Sequence, residues 1–205
     1  MKKVILLAVI CTSLIVVFLS VSLISDRSCL NHGLIRMHVV ANSDTEEDQQ
    51  LKLQVRDHIL SYLENKIDAD CNVVDAKVFL IDHLSKLEQE VNTFLQAQGS
   101  NHNATVSLRK EVFDIRKYET FTLPSGVYES LRIEIGQGQG RNWWCVAFPR
   151  LCLPTSDKAF EDTAVSAGFS QGLVPTLQQK EGYEIRFLIL DILGRIENFF
   201  FQITN

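Results

Sequence analysis

Two lysines, Lys2 and Lys3, open the chain and are followed by an apolar run over residues 4–24 that only Thr12, Ser13, Ser20 and Ser22 interrupt. As a helix, 21 residues rising about 1.5 Å each reach roughly 30 Å, the thickness of one hydrocarbon core. Lysines on the N-terminal flank stay on the cytoplasmic side, so the rest of the chain is expected to be translocated. The run is long for a cleavable signal, and no Ala-x-Ala follows it, although Ser20-Val21-Ser22 and Ser25 are small. Residues 1–26 therefore read as a signal peptide or a membrane anchor. Residues 27–205 read as one extracytoplasmic domain, the membrane being engaged through residues 4–24 if the segment is uncleaved.

Within 205 residues, 46% are hydrophobic and 22% charged, a balance that can bury a core. Without Lys2, Lys3 and Asp26, the 20 basic and 25 acidic residues become 18 and 24, a formal charge of −6. An acidic domain argues against binding nucleic acid and against attraction to anionic lipid. Cys11 lies in the apolar run, whereas Cys29, Cys71, Cys145 and Cys152 lie beyond it. Cys145 and Cys152 flank the bend at Phe148-Pro149 and are the candidate disulfide. Cys29 and Cys71 can equally be buried free thiols.

The periodicities predict an α+β domain. Residues 26–33 are short and polar, as in a linker. Ile35, Met37 and Val39 alternate with Arg36 and His38, as in a strand. Ser43 or Asp44 can cap the helix that follows, with Glu46 or Glu47 three residues on. Over residues 45–66, Leu51, Val55, Ile59 and Leu63 recur every four residues, which marks an amphipathic helix with an acidic first turn. A second helix spans 74–98, with Leu80, Leu84, Leu87, Val91, Phe94 and Leu95 as its stripe and Gly99 as its stop. A short connection makes these an antiparallel pair.

The period then changes to that of strands over 104–112, 127–135 and 142–148. The last two flank Gly136-Gln-Gly-Gln-Gly140, which suggests a β-hairpin. Residues 155–182 are weakly patterned, and the apolar stretch 184–201 reads as a closing helix despite Gly194. The expected architecture is a single exported domain: an N-terminal strand, an antiparallel helix pair, a β-hairpin-containing sheet and a C-terminal helix, after one N-terminal membrane segment.

Constellations with chemical potential are few. Gly136 to Gly140 runs into a strand, whereas a phosphate-binding loop opens a helix, so a tight connection is the better reading. Five scattered histidines offer no His-x-x-x-His pair, so neither a metal nor another cofactor is expected. Asp44, Glu46, Glu47 and Asp48 resemble an acid–base cluster but suit a helix's first turn. Asn103-Ala104-Thr105 matches the short glycosylation acceptor pattern. Cys145 with His38, His58 or His102 would make an exported cysteine-dependent hydrolase, the competing class. That reading needs a lowered thiol pKa, which the large apolar neighbours of Cys145 do not favour. Trp143 and Trp144 are adjacent, so on a strand they point to opposite faces, and an outward one is a candidate contact for a partner.

Three stretches carry a family resemblance. The first is Leu34-Ile-Arg-Met-His-Val-Val-Ala-Asn-Ser-Asp-Thr-Glu-Glu-Asp-Gln-Gln-Leu-Lys-Leu-Gln-Val-Arg-Asp57. The second runs from Pro124-Ser-Gly-Val-Tyr-Glu-Ser-Leu-Arg-Ile-Glu-Ile-Gly136 through Asn142-Trp-Trp-Cys-Val-Ala-Phe-Pro149 to Leu151-Cys152. A weaker echo is Glu184-Ile-Arg-Phe187. In these the chain resembles the stage II sporulation protein R family, departing at Met37, where a bulkier residue is expected, and at Arg150, in place of a second proline.

The resemblance implies a non-enzymatic signalling protein of endospore formation. Such a protein is exported from the forespore into the space between forespore and mother cell. There it switches on a membrane-embedded aspartic peptidase of the sporulation septum, which processes the precursor of the mother-cell sigma-E factor. No small-molecule substrate is implied. Two surfaces are candidates for the partner contact: Asn42, Asp44, Asp48, Lys52 and Arg56 on the cap and first helix, and the glycine connection with Trp143 or Trp144.

Overall fold

A computed structural model of the chain describes residues 2–68, 71–151 and 156–204, apart from the side chains at 3, 4, 8, 15, 16, 18 and 19. In chain order the elements are α1 (Lys2–His32), β1 (Ile35–Val40), α2 (Glu46–Lys66), α3 (Val73–Ala97), β2 (Ala104–Phe113), β3 (Arg116–Lys117), β4 (Thr122–Leu123), β5 (Gly126–Ile135), β6 (Asn142–Phe148), α4 (Asp157–Ser166), α5 (Leu173–Leu177) and α6 (Glu184–Thr204). The α+β class and the helix pair follow the periodicities closely.

Four strands form one mixed sheet in the order β2-β5-β1-β6, while β3 and β4 pair separately. β1 runs parallel to β5 and antiparallel to β6, with Met37 opposite both Leu131 and Cys145. The expected hairpin of β5 with β6 is therefore not formed, because β1 lies between them. Every residue of β1 is buried, and a strand buried on both faces is best satisfied with a hydrogen-bonded neighbour on each edge.

Alternation along β1 divides the core. Ile35, Met37 and Val39 pack with Val55, Ile59, Leu87 and Val91 of α2 and α3 on one face. The other face is covered by Leu30 of α1, Phe160 of α4, Leu173 of α5 and Leu190 of α6. Arg36 and His38 point to this second layer and are buried rather than solvated. The Arg36 guanidinium lies 3.8 Å above the Phe113 ring and donates to Tyr118 Oη at 2.7 Å, and among the described residues its Nε and Nη1 find no partner. Burial lowers its pKa. His38 stacks on Trp144 with ring centroids 3.5 Å apart.

Residues 26–32, expected as a linker, are the last turns of α1 and dock on the body of the domain. Asp26 and Arg27 are buried. Arg186 donates to the Asp26 carboxylate and, at 2.7 Å, to Ser22 Oγ, and Ser170 Oγ donates to Asp26 at 2.9 Å. Arg27 donates to Ser125 O at 2.9 Å and to Glu197 Oε2 at 2.6 Å. Its guanidinium occupies space where a methyl group on Gly126 would fall, and a methyl on Gly194 would overlap the Ser125 carbonyl. The glycine inside α6 thus lets that helix pass close to the turn before β5. Among the described residues no helix is long and apolar enough to cross a membrane. The N-terminal membrane segment is accordingly not established by the fold, and it rests on the composition of residues 4–24.

Candidate functional site

The two candidate surfaces read from the sequence are one place in the structure. After β5 the chain must cross the end of β1 to reach β6, and it does so through residues 136–141, pressed against the exit of β1 at residues 41–44. Gln139 N and Gly140 N donate to Asn42 O and Ala41 O at 3.2 and 2.9 Å. A side chain at Gly136 would collide with the Asn42 amide, and one at Gly140 with the Ser43 carbonyl. Gly136 and Gly138 also adopt positive φ, at 60° and 61°, the left-handed region that glycine enters without steric cost. The glycine run is a tight crossing over a neighbouring strand.

Around that crossing the cap residues form a closed network. Asn42 Oδ1 accepts from Gln137 N at 3.0 Å while its Nδ2 donates to Asp48 Oδ2 at 2.9 Å. Ser43 Oγ donates to the same carboxylate oxygen at 2.5 Å, so it does not cap the helix. Thr45 caps it instead, accepting from Asp48 N at 3.3 Å, one residue later than the sequence suggested. The displacement has a physical cause: Ser43 is held by the Asp48 carboxylate and its carbonyl by Gln49 Nε2 at 2.9 Å. Burial acts to raise the Asp48 carboxyl. The bonds from Ser43 and Asn42, with His102 Nε2 3.4 Å away, outweigh it and hold the group below the usual carboxylate range.

Lys52 is buried and donates to Gln49 Oε1 at 2.7 Å and Arg141 O at 3.0 Å. Burial, and then the positive charge of Arg141, lower its ammonium pKa. Asn42, Asp48 and Lys52 are therefore engaged in holding the crossing to the helix. Asp44 is different: it is exposed, accepts from Arg141 N at 2.6 Å and lies 3.5 Å from Arg141 Nε. Arg141 itself is 73% exposed along its side chain and was not singled out from the sequence, since nothing in a glycine-rich loop marks the next residue as outward. Arg56 pairs with Asp57 at 2.6 Å and sits 4.9 Å over the Trp143 ring. Asp44 and Arg141 are thus exposed beside the crossing, while Arg56, half-buried, covers the Trp143 ring.

Trp143 and Trp144 do take opposite faces. Trp143 packs partly against the α2 and α3 core, and Trp144 against the other. Both are half-buried, and together with Tyr118, Phe121 and Leu151 they line a cavity of about 160 Å³ at the β6 edge. Trp144 meets Phe113 edge-on at 4.9 Å and Arg116 at 5.2 Å. A polar cluster continues along this face: His38 Nδ1 is 3.1 Å from Glu111 Oε2, and Arg132 donates to Glu111 at 3.0 Å and Glu134 at 2.8 Å. Burial tends to raise the Glu111 carboxyl, but its bond with His38 and the charges of His38 and Arg132 bring it down to about 2.

The geometry does not assemble a cysteine nucleophile. Cys145 is 1% exposed and packs on the α2 and α3 side, whereas His38 lies on the opposite face against Trp144. His58 bonds Glu90 at 2.9 Å and His102 faces Asp48. The free cysteines among the described residues are Cys11, Cys29 and Cys71. Cys152, the other half of the candidate disulfide, lies outside the described residues.

Comparison with known proteins places this geometry. The family model described as stage II sporulation protein R matches residues 31–158, which take in β1, the cap, α2, the glycine crossing and β6. A similar protein is the stage II sporulation protein R of Bacillus subtilis (strain 168), 32% identical over 119 residues. The match covers 58% of this chain and 53% of that relative, so the chain spans about half the length of the curated protein it resembles. No solved structure matches the chain. With its β1, cap and crossing all inside a match that covers more than half of its length, the chain belongs to the stage II sporulation protein R family, whose role lies in sporulation.

Proposed function

We propose that this protein is an intercellular signal of endospore formation, exported from the forespore to activate a membrane-embedded aspartic peptidase of the septum, which then processes the mother-cell sigma-E precursor. The observation that carries the reading is the family match over residues 31–158. Within that stretch lies a rigid junction of strand exit, helix cap and glycine crossing. The lysine-flanked apolar run over 4–24 supports export, with the segment either cleaved or kept as an anchor. A Cys145–Cys152 disulfide suits an oxidising compartment and would leave position 145 without a nucleophile.

Activation by a binding partner requires tighter binding to the active arrangement of the peptidase than to its idle one. The outward groups at the junction, Asp44 and Arg141, with Arg56 and the Trp143 edge beside them, are suited to that contact. The buried members hold them in place: the Asn42–Asp48–Ser43 network fixes the loop against the helix, so that the rim presents one geometry.

The test is reconstitution in a host lacking the pathway. The peptidase and its precursor substrate are expressed with the full chain, and precursor cleavage is followed. Cleavage is expected only when the chain is present and its body is outside the cytoplasmic membrane. It should fall at least tenfold with Asp44→Lys combined with Arg141→Glu, a charge exchange at the exposed rim. Cleavage that proceeds equally without the chain, or with its body retained in the cytoplasm, refutes the proposal.

A further inference from the structure

The outer face of α6 is apolar where a surface helix is ordinarily polar. Its inward side is set by Phe187, Leu190, Gly194 and Asn198, all buried. On the opposite side Ile185, Leu188, Ile192, Ile196, Phe199, Phe200 and Ile203 are between 47% and 73% exposed. Leaving Phe200 aside, the spacings of 3, 4, 4, 3 and 4 average 3.6 residues, so the residues form one straight stripe over five turns. Together they expose on the order of 800 Å² of apolar surface, more than the roughly 300–600 Å² of the largest patch on a typical monomer. That area matches what one partner gives to a standard protein interface.

We infer that this stripe is the contact between two copies of the chain, paired in parallel. Beyond its area, two features of the stripe favour a second copy over another occupant. The stripe itself bears no charged side chain to select an oppositely charged partner, and Arg195, next to it on the helix, is paired with Asp191 at 2.8 Å. A symmetric contact sets each patch against itself, so it tolerates a neutral apolar stripe and is opposed by a charged one. Beside the stripe lies a groove of about 400 Å³ in which Val127, Ile196, Phe200 and Phe201 meet the polar groups of Lys110 and Glu197, room enough for the Phe199 ring of a second copy.

The direction of pairing follows from α1. Arg186, near the start of α6, reaches Ser22 and Asp26, while Glu197, eleven residues on, reaches Arg27 and Asn31. The two helices thus run the same way. A twofold axis along that shared direction sets the α6 stripes side by side and brings both N-termini out at one end, as two leaders entering one membrane require. The parallel direction rests on both leaders entering one membrane, as in the proposed function, whereas the pairing itself does not rest on the peptidase reading and is read by mass and cross-linking alone.

The test uses the full chain in mild detergent and in vesicles. With Cys11→Ser, Cys29→Ala and Cys71→Ser as background, Leu188→Cys and Phe199→Cys are oxidised separately. Both are expected to give a disulfide-linked dimer, because a parallel seam brings each position to its own copy, and light scattering should give the mass of two chains. Ile192→Asp with Ile196→Asp should weaken the dimer at least tenfold while leaving the far-UV circular dichroism of the folded domain unchanged. A monomeric mass, or a failure of either cysteine to cross-link, overturns the inference. Quenching of a probe on Ile192→Cys by nitroxide lipid, in a chain that stays monomeric, would place the stripe against the bilayer and likewise overturn it.

Discussion

Replacing Asp48 with asparagine asks whether the cap network holds the fold or meets a partner. Two charge-assisted bonds end on Asp48 Oδ2, from Ser43 at 2.5 Å and Asn42 at 2.9 Å. Bonds to a charged group contribute about 1.5–3 kcal/mol each, against about 1 kcal/mol for neutral ones. The substituted amide keeps one acceptor and nearly the same volume, so losing the charge should cost about 1 kcal/mol per bond. A donor amide facing His102 adds to this, for a total of roughly 2–3 kcal/mol. For a domain of this size each kcal/mol moves the melting temperature by about 2–4 °C, so Asp48→Asn should melt roughly 5–10 °C lower. Asp44→Asn, at an exposed site, should melt within about 2 °C of the parent. The folded-state carboxyl of Asp48 lies below its ordinary value of 3.8. Its stabilisation is therefore present above that pH and lost as pH falls through the folded value, a limb the variant should lack. Thermal unfolding by circular dichroism at pH 7 and pH 3 reads both effects. If Asp48→Asn melts with the parent and yet fails to support precursor processing, the buried-network argument is wrong and Asp48 is a contact residue.

Three further predictions follow the same logic. Arg27→Met, at a site that is 5% exposed, removes the donor to the Ser125 carbonyl and the charged partner of Glu197, which keeps Asn31. It should destabilise by about 3 kcal/mol and speed proteolysis around residues 22–27; an unchanged digestion pattern would contradict the docking of α1. Gly140→Ala pushes a methyl group into the Ser43 carbonyl and should cost about 1–3 kcal/mol in urea unfolding, whereas Gly99→Ala, with open space around it but positive φ, should cost about 1 kcal/mol. Glu111, held at about 2 instead of 4.5, contributes up to about 3 kcal/mol that is fully present above pH 4.5 and is lost as pH falls toward 2. Denaturant titrations from pH 5 to pH 2.5 should show a shallower acid limb in Glu111→Gln, and equal limbs would discount the cluster with His38 and Arg132.

How much was legible varies with the range of the interaction. The alternation of Ile35, Met37 and Val39 correctly marked the face that meets α2 and α3. The four-residue recurrence from Leu51 to Leu63 gave α2 to within a residue, and the opposed tryptophans followed from the strand period alone. The partners of those elements were another matter. A glycine run between two strands looks the same whether it turns a hairpin or crosses a third strand, because the positive φ it needs is local while the strand beneath it is contributed by residues about a hundred positions away. Likewise the alternation sets Arg36 and His38 on the face opposite Met37, and only the second helical layer shows that face to be covered.

Of the candidate site, the residue set was visible and its meaning was not. Asn42, Asp48 and Lys52 are polar residues near a helix start, a pattern that suits a solvated cap as well as a buried knot. Only the crossing at Gly136 to Gly140 decides for the knot, by closing over them, and it leaves Asp44 and Arg141 outward. By itself the sequence determined β1, the helix pair, the long strands, the closing helix and the family, since each is written in short-range periodicity or in contiguous strings, whereas α4, α5 and the helical end of α1 were not legible. The tertiary structure decided the strand order, the docking of α1 through Arg27 and the exposure of the α6 stripe. Those depend on which surfaces meet across long separations, and a residue's own neighbours in the chain carry no record of that.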